Sequence, residues 1–97
     1  MSQQEIENII LNYFKNFELK RVSIFGSYAR GEQKADSDID ILVKFKDTPS
    51  LLQLIKIEND LSEKLGFKVD LITENAIKNK IIKAQIKQEC KTIFIEN

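Results

Sequence analysis

Ninety-seven residues with fifteen basic and fifteen acidic side chains make one small domain, residues 1–97, without formal net charge. That balance argues against a dedicated nucleic-acid coat or a membrane-surface protein, so no direct nucleic-acid binding is expected. The absence of histidine removes every His-based general base and Ser-His triad and argues against a zinc site, and the lone Cys90 excludes an intrachain disulfide.

No basic-apolar leader and no apolar run of membrane-spanning length is present, so a cytoplasmic protein is expected. Along the chain, Ser2 with Glu5 predicts a capping box. Ile6, Ile9, Ile10, Tyr13, Phe14 and Phe17 recur at helical spacing and predict a first amphipathic helix to about Phe17. Arg21 to Phe25 is β-branched and aromatic and predicts a strand that Gly26 stops. Ser27 to Gly31 reads as a turn into a short helical segment, and Gln33 to Ser37 as a polar loop.

Ile39 to Phe45 predicts the second strand. Thr48 is placed to cap a helix with Pro49 in its first position, and Gly66 to end it. Phe67 to Ile72 predicts a third strand, and Thr92 to Ile95 a short terminal one. Between them a last helix is expected from near Glu74 to about Glu89, with Ile77, Ile81 and Ile82 buried and Ala84 and Ile86 at the margin of that face. Lys78, Lys80, Lys83, Lys87 and Lys91 stand there against Glu89 alone, which reads as a solvated face before a docking face for an acidic partner. The helix between the second and third strands suits a crossover connection, whereas the shorter link between the first two allows either direction. The expected class is α+β, α/β-like: a small mixed sheet of three to four strands packed with helices. The apolar tail strand invites self-association into a homo-oligomer.

The chemistry-bearing stretch is Asp38-Ile39-Asp40. On a strand, side chains alternate, so Asp38 and Asp40 share one face while Ile39, Ile41 and Val43 share the other. Like charges held side by side are relieved by a proton or by a hard divalent cation. Asp70, between Val69 and Leu71, joins them in one cleft if the second and third strands are neighbours. Three carboxylates then suit two divalent ions and phosphoryl or nucleotidyl transfer. Alone, Asp70 reads as a strand-end residue held by a backbone N–H. Gly26-Ser27 after a strand suits a phosphate-binding corner or an ordinary capped turn. Arg30 and Lys34 suit phosphate neutralisation or surface pairing with Glu32 or Asp36.

Asp36-Ser37-Asp38-Ile39-Asp40 begins like a calcium-binding EF-hand loop, but Ile41 stands where that loop needs glycine. No Gly-Lys-Ser/Thr follows Gly26, so there is no Walker P-loop. Same-face aspartates this close do not suit a glycoside hydrolase.

Gly26-Ser27-Tyr28-Ala29-Arg30-Gly31 followed by Ser37-Asp38-Ile39-Asp40-Ile41-Leu42-Val43 resembles the Gly-Ser, ten-residue spacer, Asp-x-Asp signature of the polymerase-beta-like nucleotidyltransferase superfamily. The chain length, the leading helix and Val69-Asp70-Leu71 resemble its minimal nucleotidyltransferase (MNT) group. The resemblance implies that fold, with Asp38, Asp40 and Asp70 as the catalytic, metal-binding triad. It implies Gly26 and Ser27 as holders of a nucleoside triphosphate and Arg30 as a phosphate contact. It further implies ATP as substrate, two Mg²⁺ or Mn²⁺ ions, and a HEPN-type toxin as partner, in an antitoxin that transfers AMP to a hydroxyl of that toxin. The alternatives are a non-catalytic antitoxin that neutralises a toxin by occlusion, and transfer to a small molecule or an RNA end.

Overall fold

The computed structural model describes residues 2–26 and 38–96. The first helix, α1, spans Gln3–Phe14, and its start is the expected capping box. The Glu5 backbone N–H donates to Ser2 Oγ at 3.1 Å while the Ser2 backbone N–H donates back to the Glu5 carboxylate at 3.5 Å. Ile6, Ile10 and Phe14, four residues apart, are buried. The helix stops short of Phe17, whose backbone N–H closes a turn on Phe14 O at 2.9 Å. Phe17 still packs, its ring centroid 5.5 Å from Tyr13 and 5.4 Å from Phe14. The apolar period therefore reports core contact and runs past the helix itself.

Strand β1 (Leu19–Phe25) starts two residues earlier than expected, β2 spans Ile39–Phe45 and β3 Val69–Thr73. The terminal strand β4 is Lys91–Ile95. The sheet order is β3-β2-β1-β4, with β1 antiparallel to both β2 and β4 and β2 parallel to β3. The parallel pair is joined by the crossover helix α2 (Leu51–Leu65). Its N-cap is Ser50, whose Oγ accepts from Gln53 N at 3.2 Å; Thr48 and Pro49 lie outside the helix. Proline turns its predecessor away from helical backbone, so the cap falls to the first hydroxyl after Pro49. Gly66 ends α2 as expected, at φ +81°.

Ile57, Leu61 and Leu65 of α2 pack with α1 over one face of the sheet. That face presents Val22, Ile24, Ile39, Ile41, Val43 and Val69, all essentially inaccessible to water. The opposite face carries Arg21, Ser23, Asp40, Leu42, Lys44, Asp70 and Ile72 by alternation and register.

The long last helix is where expectation and structure part. Glu74–Ala76 is a single 3₁₀ turn, and the helix proper, α3, is only Lys80–Glu89. Asn79 starts it, its side-chain oxygen accepting from Ile81 N at 2.9 Å and Ile82 N at 3.1 Å. No residue of α3 is buried. Ile81 is 73% and Ile82 48% exposed, and Ile77 is half-buried in the preceding link. Among the described residues, no helix is long and apolar enough to cross a membrane.

Candidate active site

Asp38 lies just before β2 and is exposed; Asp40 is its second residue and is half-buried. The strand start is fixed by Ile39 N, which donates to Lys68 O at 3.1 Å. In the parallel register Asp40 stands directly beside Asp70, so both carboxylates leave the sheet on the same side. The residues flanking Asp70 are held by α2: Val69 N donates to Ser62 Oγ at 3.0 Å and Leu71 N to Glu58 Oε2 at 2.8 Å. These bonds occupy outward N–H groups of an edge strand and fix where Asp70 points. Lys68 Nζ lies 3.8 Å from Asp70 Oδ1 across exposed side chains, so this contact adds little stability.

The electrostatics follow from that placement. Burial pushes the Asp40 carboxyl above its ordinary value, and the negative charges of Asp70 and then Asp38 push it further. A hydrogen bond shared with Asp70 acts in the same direction, and Lys68 opposes it. A hydrogen bond between two carboxyls needs a proton on one of them. A hard cation relieves the same repulsion, so the pair Asp40–Asp70 suits a divalent ion by donor chemistry: oxygen only, like charges facing. Asp38 is felt at Asp40 as charge. Among the described residues, no group of three or more acidic, thiol or imidazole side chains is already gathered closely enough to hold a metal ion.

Gly26 ends β1 at φ +81°, a backbone region that L side chains avoid. A Cβ there would lie 2.8 Å from Asp40 Oδ2. The glycine thus leaves the room that the Asp40 carboxylate occupies, a role its position after a strand does not reveal. Ser27 and Arg30 lie outside the described residues, as do Glu32, Lys34 and Asp36.

Sequence reasoning also passed over Glu74. It is 1% exposed, and Arg21 Nε donates to its Oε2 at 3.1 Å. Lys87 Nζ stands 3.2 Å from Oε1 as an ion pair, although that oxygen has no hydrogen-bond partner of suitable geometry. A glutamate near a strand end is ordinarily exposed, so only the pairing explains its burial. A groove of about 570 Å³ lined by Tyr13, Asn16 and Lys64 lies with α1 and contains none of the aspartates.

Residues 4–93 match the family described as nucleotidyltransferase domain. A protein adenylyltransferase MntA of Thermococcus cleftensis is 40% identical over 92 residues, covering 91% of this chain and 93% of the relative. A Methanocaldococcus jannaschii relative provisionally named a protein adenylyltransferase is 48% identical over 89 residues, with 88% and 91% covered. Among solved structures, a chain of a toxin–antitoxin crystal structure with AMP-PNP superposes with a TM-score of 0.83 at 27% identity. That match covers 94% of this chain and 74% of the other. A chain from the Shewanella oneidensis complex of a tri-AMPylated HEPN toxin with its MNT antitoxin gives 0.80 at 25% identity, with 98% and 74% covered.

Proposed function

The chain belongs to the nucleotidyltransferase domain family, and we propose that it transfers AMP from ATP to a hydroxyl of a partner protein, as the antitoxin of a HEPN/MNT pair. The observation that carries this reading is the Asp40–Asp70 pair, set side by side by the parallel register, with burial and the charge of Asp70 pushing the Asp40 carboxyl above its ordinary value. The names of the adenylyltransferase relatives and of the toxin–antitoxin structures support the acceptor class.

Asp38, Asp40 and Asp70 are the residues that would hold Mg²⁺ or Mn²⁺. Bound there, such ions supply neutralisation of the charge that builds on the phosphates. Gly26 keeps the β1 turn clear of Asp40, and Ser27 and Arg30 are assigned to the triphosphate. The acceptor oxygen attacks the α-phosphorus, the bond to the β-phosphate oxygen breaks, and pyrophosphate leaves with the bonding electron pair. Asp70 takes the hydroxyl proton, a role that suits a carboxylate whose strand is fixed on both sides by Ser62 and Glu58.

The test is transfer of label from α-labelled ATP, with Mg²⁺, to the product of the adjacent reading frame. Label on that protein is expected, with a loss of roughly a hundredfold or more in Asp70→Asn. Absence of label, or Asp38→Ala and Asp40→Ala transferring like the wild type, rejects catalysis. The occlusion reading draws on the ungathered carboxylates. Toxin neutralisation that survives Asp38→Asn would favour it.

A further inference from the structure

We propose that the outward isoleucine stripe of α3 is the docking surface for the acceptor protein, which meets it with an acidic, apolar-faced helix. This rests on the protein-acceptor reading above. Helix α3 is ten residues long, below the roughly 12–15 at which an isolated helix is even marginal in water. Helices of that length normally stand by burying an apolar stripe, yet none of its residues is buried.

Its orientation leaves Ile81 and Ile82 outside. Lys80, Lys83 and Lys87 recur along one edge, and Lys87 ties that edge to the buried Glu74 carboxylate. Ile82 lies on the far side of the helix from Lys87, and Ile81 is the most exposed of its isoleucines. Lys87 draws its edge toward Glu74 and Ile86 is half-buried, while Ile81 and Ile82 are turned to solvent.

Its location ties it to the site. Glu74 also holds Arg21, which shares the sheet face of Asp40 and pairs in register with Lys44. Helix α3 therefore stands over the carboxylate face, opposite α1 and α2. Arg21 and Glu74 lie four residues along β1 and β3 from the level of Asp40 and Asp70, so a protein seated on Ile81 and Ile82 would have to extend along this face to offer a hydroxyl to them. The apolar groove of about 370 Å³ between α1 and β4 opens on the other face and offers no such access.

Its charge selects the occupant. Among the described residues, Lys78, Lys80 and Lys83 have no carboxylate within ion-pair distance, and Glu89 is the helix's only acid. Lysines flanking an apolar stripe suit a surface that alternates acidic and apolar residues, and they disfavour a second copy carrying the same lysines.

Titration calorimetry of the full chain against the product of the adjacent reading frame tests this. Ile81→Asp/Ile82→Asp is expected to weaken binding about a hundredfold. Lys80→Glu/Lys83→Glu is expected to weaken it about tenfold and to flatten its salt dependence. Both variants should keep the rise in melting temperature produced by ATP with Mg²⁺, which shows the fold and site intact. Wild-type affinity in the isoleucine variant overturns the proposal, as does absence of binding by the wild type. So does a wild-type dimer that the isoleucine substitutions convert to monomer, because the surface then belongs to a second copy. The two readings fail differently: a complex that forms through α3 but accepts no label sinks catalysis alone, whereas labelling that ignores the isoleucines sinks the docking surface alone.

Discussion

The two faces of the sheet are built on opposite principles. One packs Val22, Ile24, Ile39, Ile41 and Val43 beneath α1 and α2 and excludes water. The other sets Asp40 beside Asp70 and buries a glutamate between Arg21 and Lys87. Burial of apolar area makes the first face the source of stability. Like charges and half-met hydrogen bonds make the second a place where stability is given up. One strand serves both: in β2, the odd-numbered residues from Ile39 to Phe45 build the core while Asp40, on the alternate side, faces the site. The lesson is that the rigid face positions the strained one to within a register step.

The largest effect that sharpens this contrast is on the core face. Leu61→Ala should cost about 2–5 kcal/mol in urea unfolding, because Leu61 is fully buried. A loss comparable to that of an exposed-site substitution would mean that α2 is not seated as described. Next comes the junction of the two faces. Gly26→Ala adds a Cβ 2.8 Å from Asp40 Oδ2 at positive φ and should cost about 1–3 kcal/mol. It should also lower label transfer, since the shift falls on Asp40; wild-type stability together with wild-type transfer would remove the close approach from the account.

On the carboxylate face the sign reverses. The folded Asp40 carboxyl holds its proton above the ordinary value of 3.8, so its contribution to stability is complete below that value and is lost as pH rises through the folded value. Asp40→Asn should therefore raise the melting temperature of metal-free protein at neutral pH and leave it little changed in acid. A lower neutral melting temperature would show that the charge is compensated in the folded chain. The smallest effect belongs to Tyr13, whose hydroxyl donates to Asp60 Oδ2 at 2.8 Å. Burial, first, and the Asp60 carboxylate push its phenol to about 12. Its contribution to stability should be intact below pH 10 and lost between there and about 12, and Tyr13→Phe should flatten that loss in an alkaline unfolding series.

The same contrast explains what the chain reveals before folding. The Ser2–Glu5 box, the alternation in β2 and Gly66 are local rules obeyed locally, and the structure contains all three. The neighbouring of β2 and β3 follows from one helix-long crossover, and it brings Asp70 beside Asp40. The isoleucines of α3 show the limit: periodicity marks an apolar stripe but not what covers it, and here the described chain half-buries Ile86 and leaves Ile81 and Ile82 exposed. Glu74, Lys68 and the Glu58–Ser62 hold on β3 depend on contacts across the fold, and no spacing announces them. Gly26 was legible as a turn, but its approach to Asp40 was not.

The central claim is that carboxylates meet on the second face to hold a cation against a triphosphate. Anomalous diffraction from a crystal soaked with Mn²⁺ and ATP tests it most directly. The account predicts a manganese peak at ligating distance from both Asp40 and Asp70. Nucleotide bound with no peak there, or with manganese held elsewhere on the chain, would contradict it.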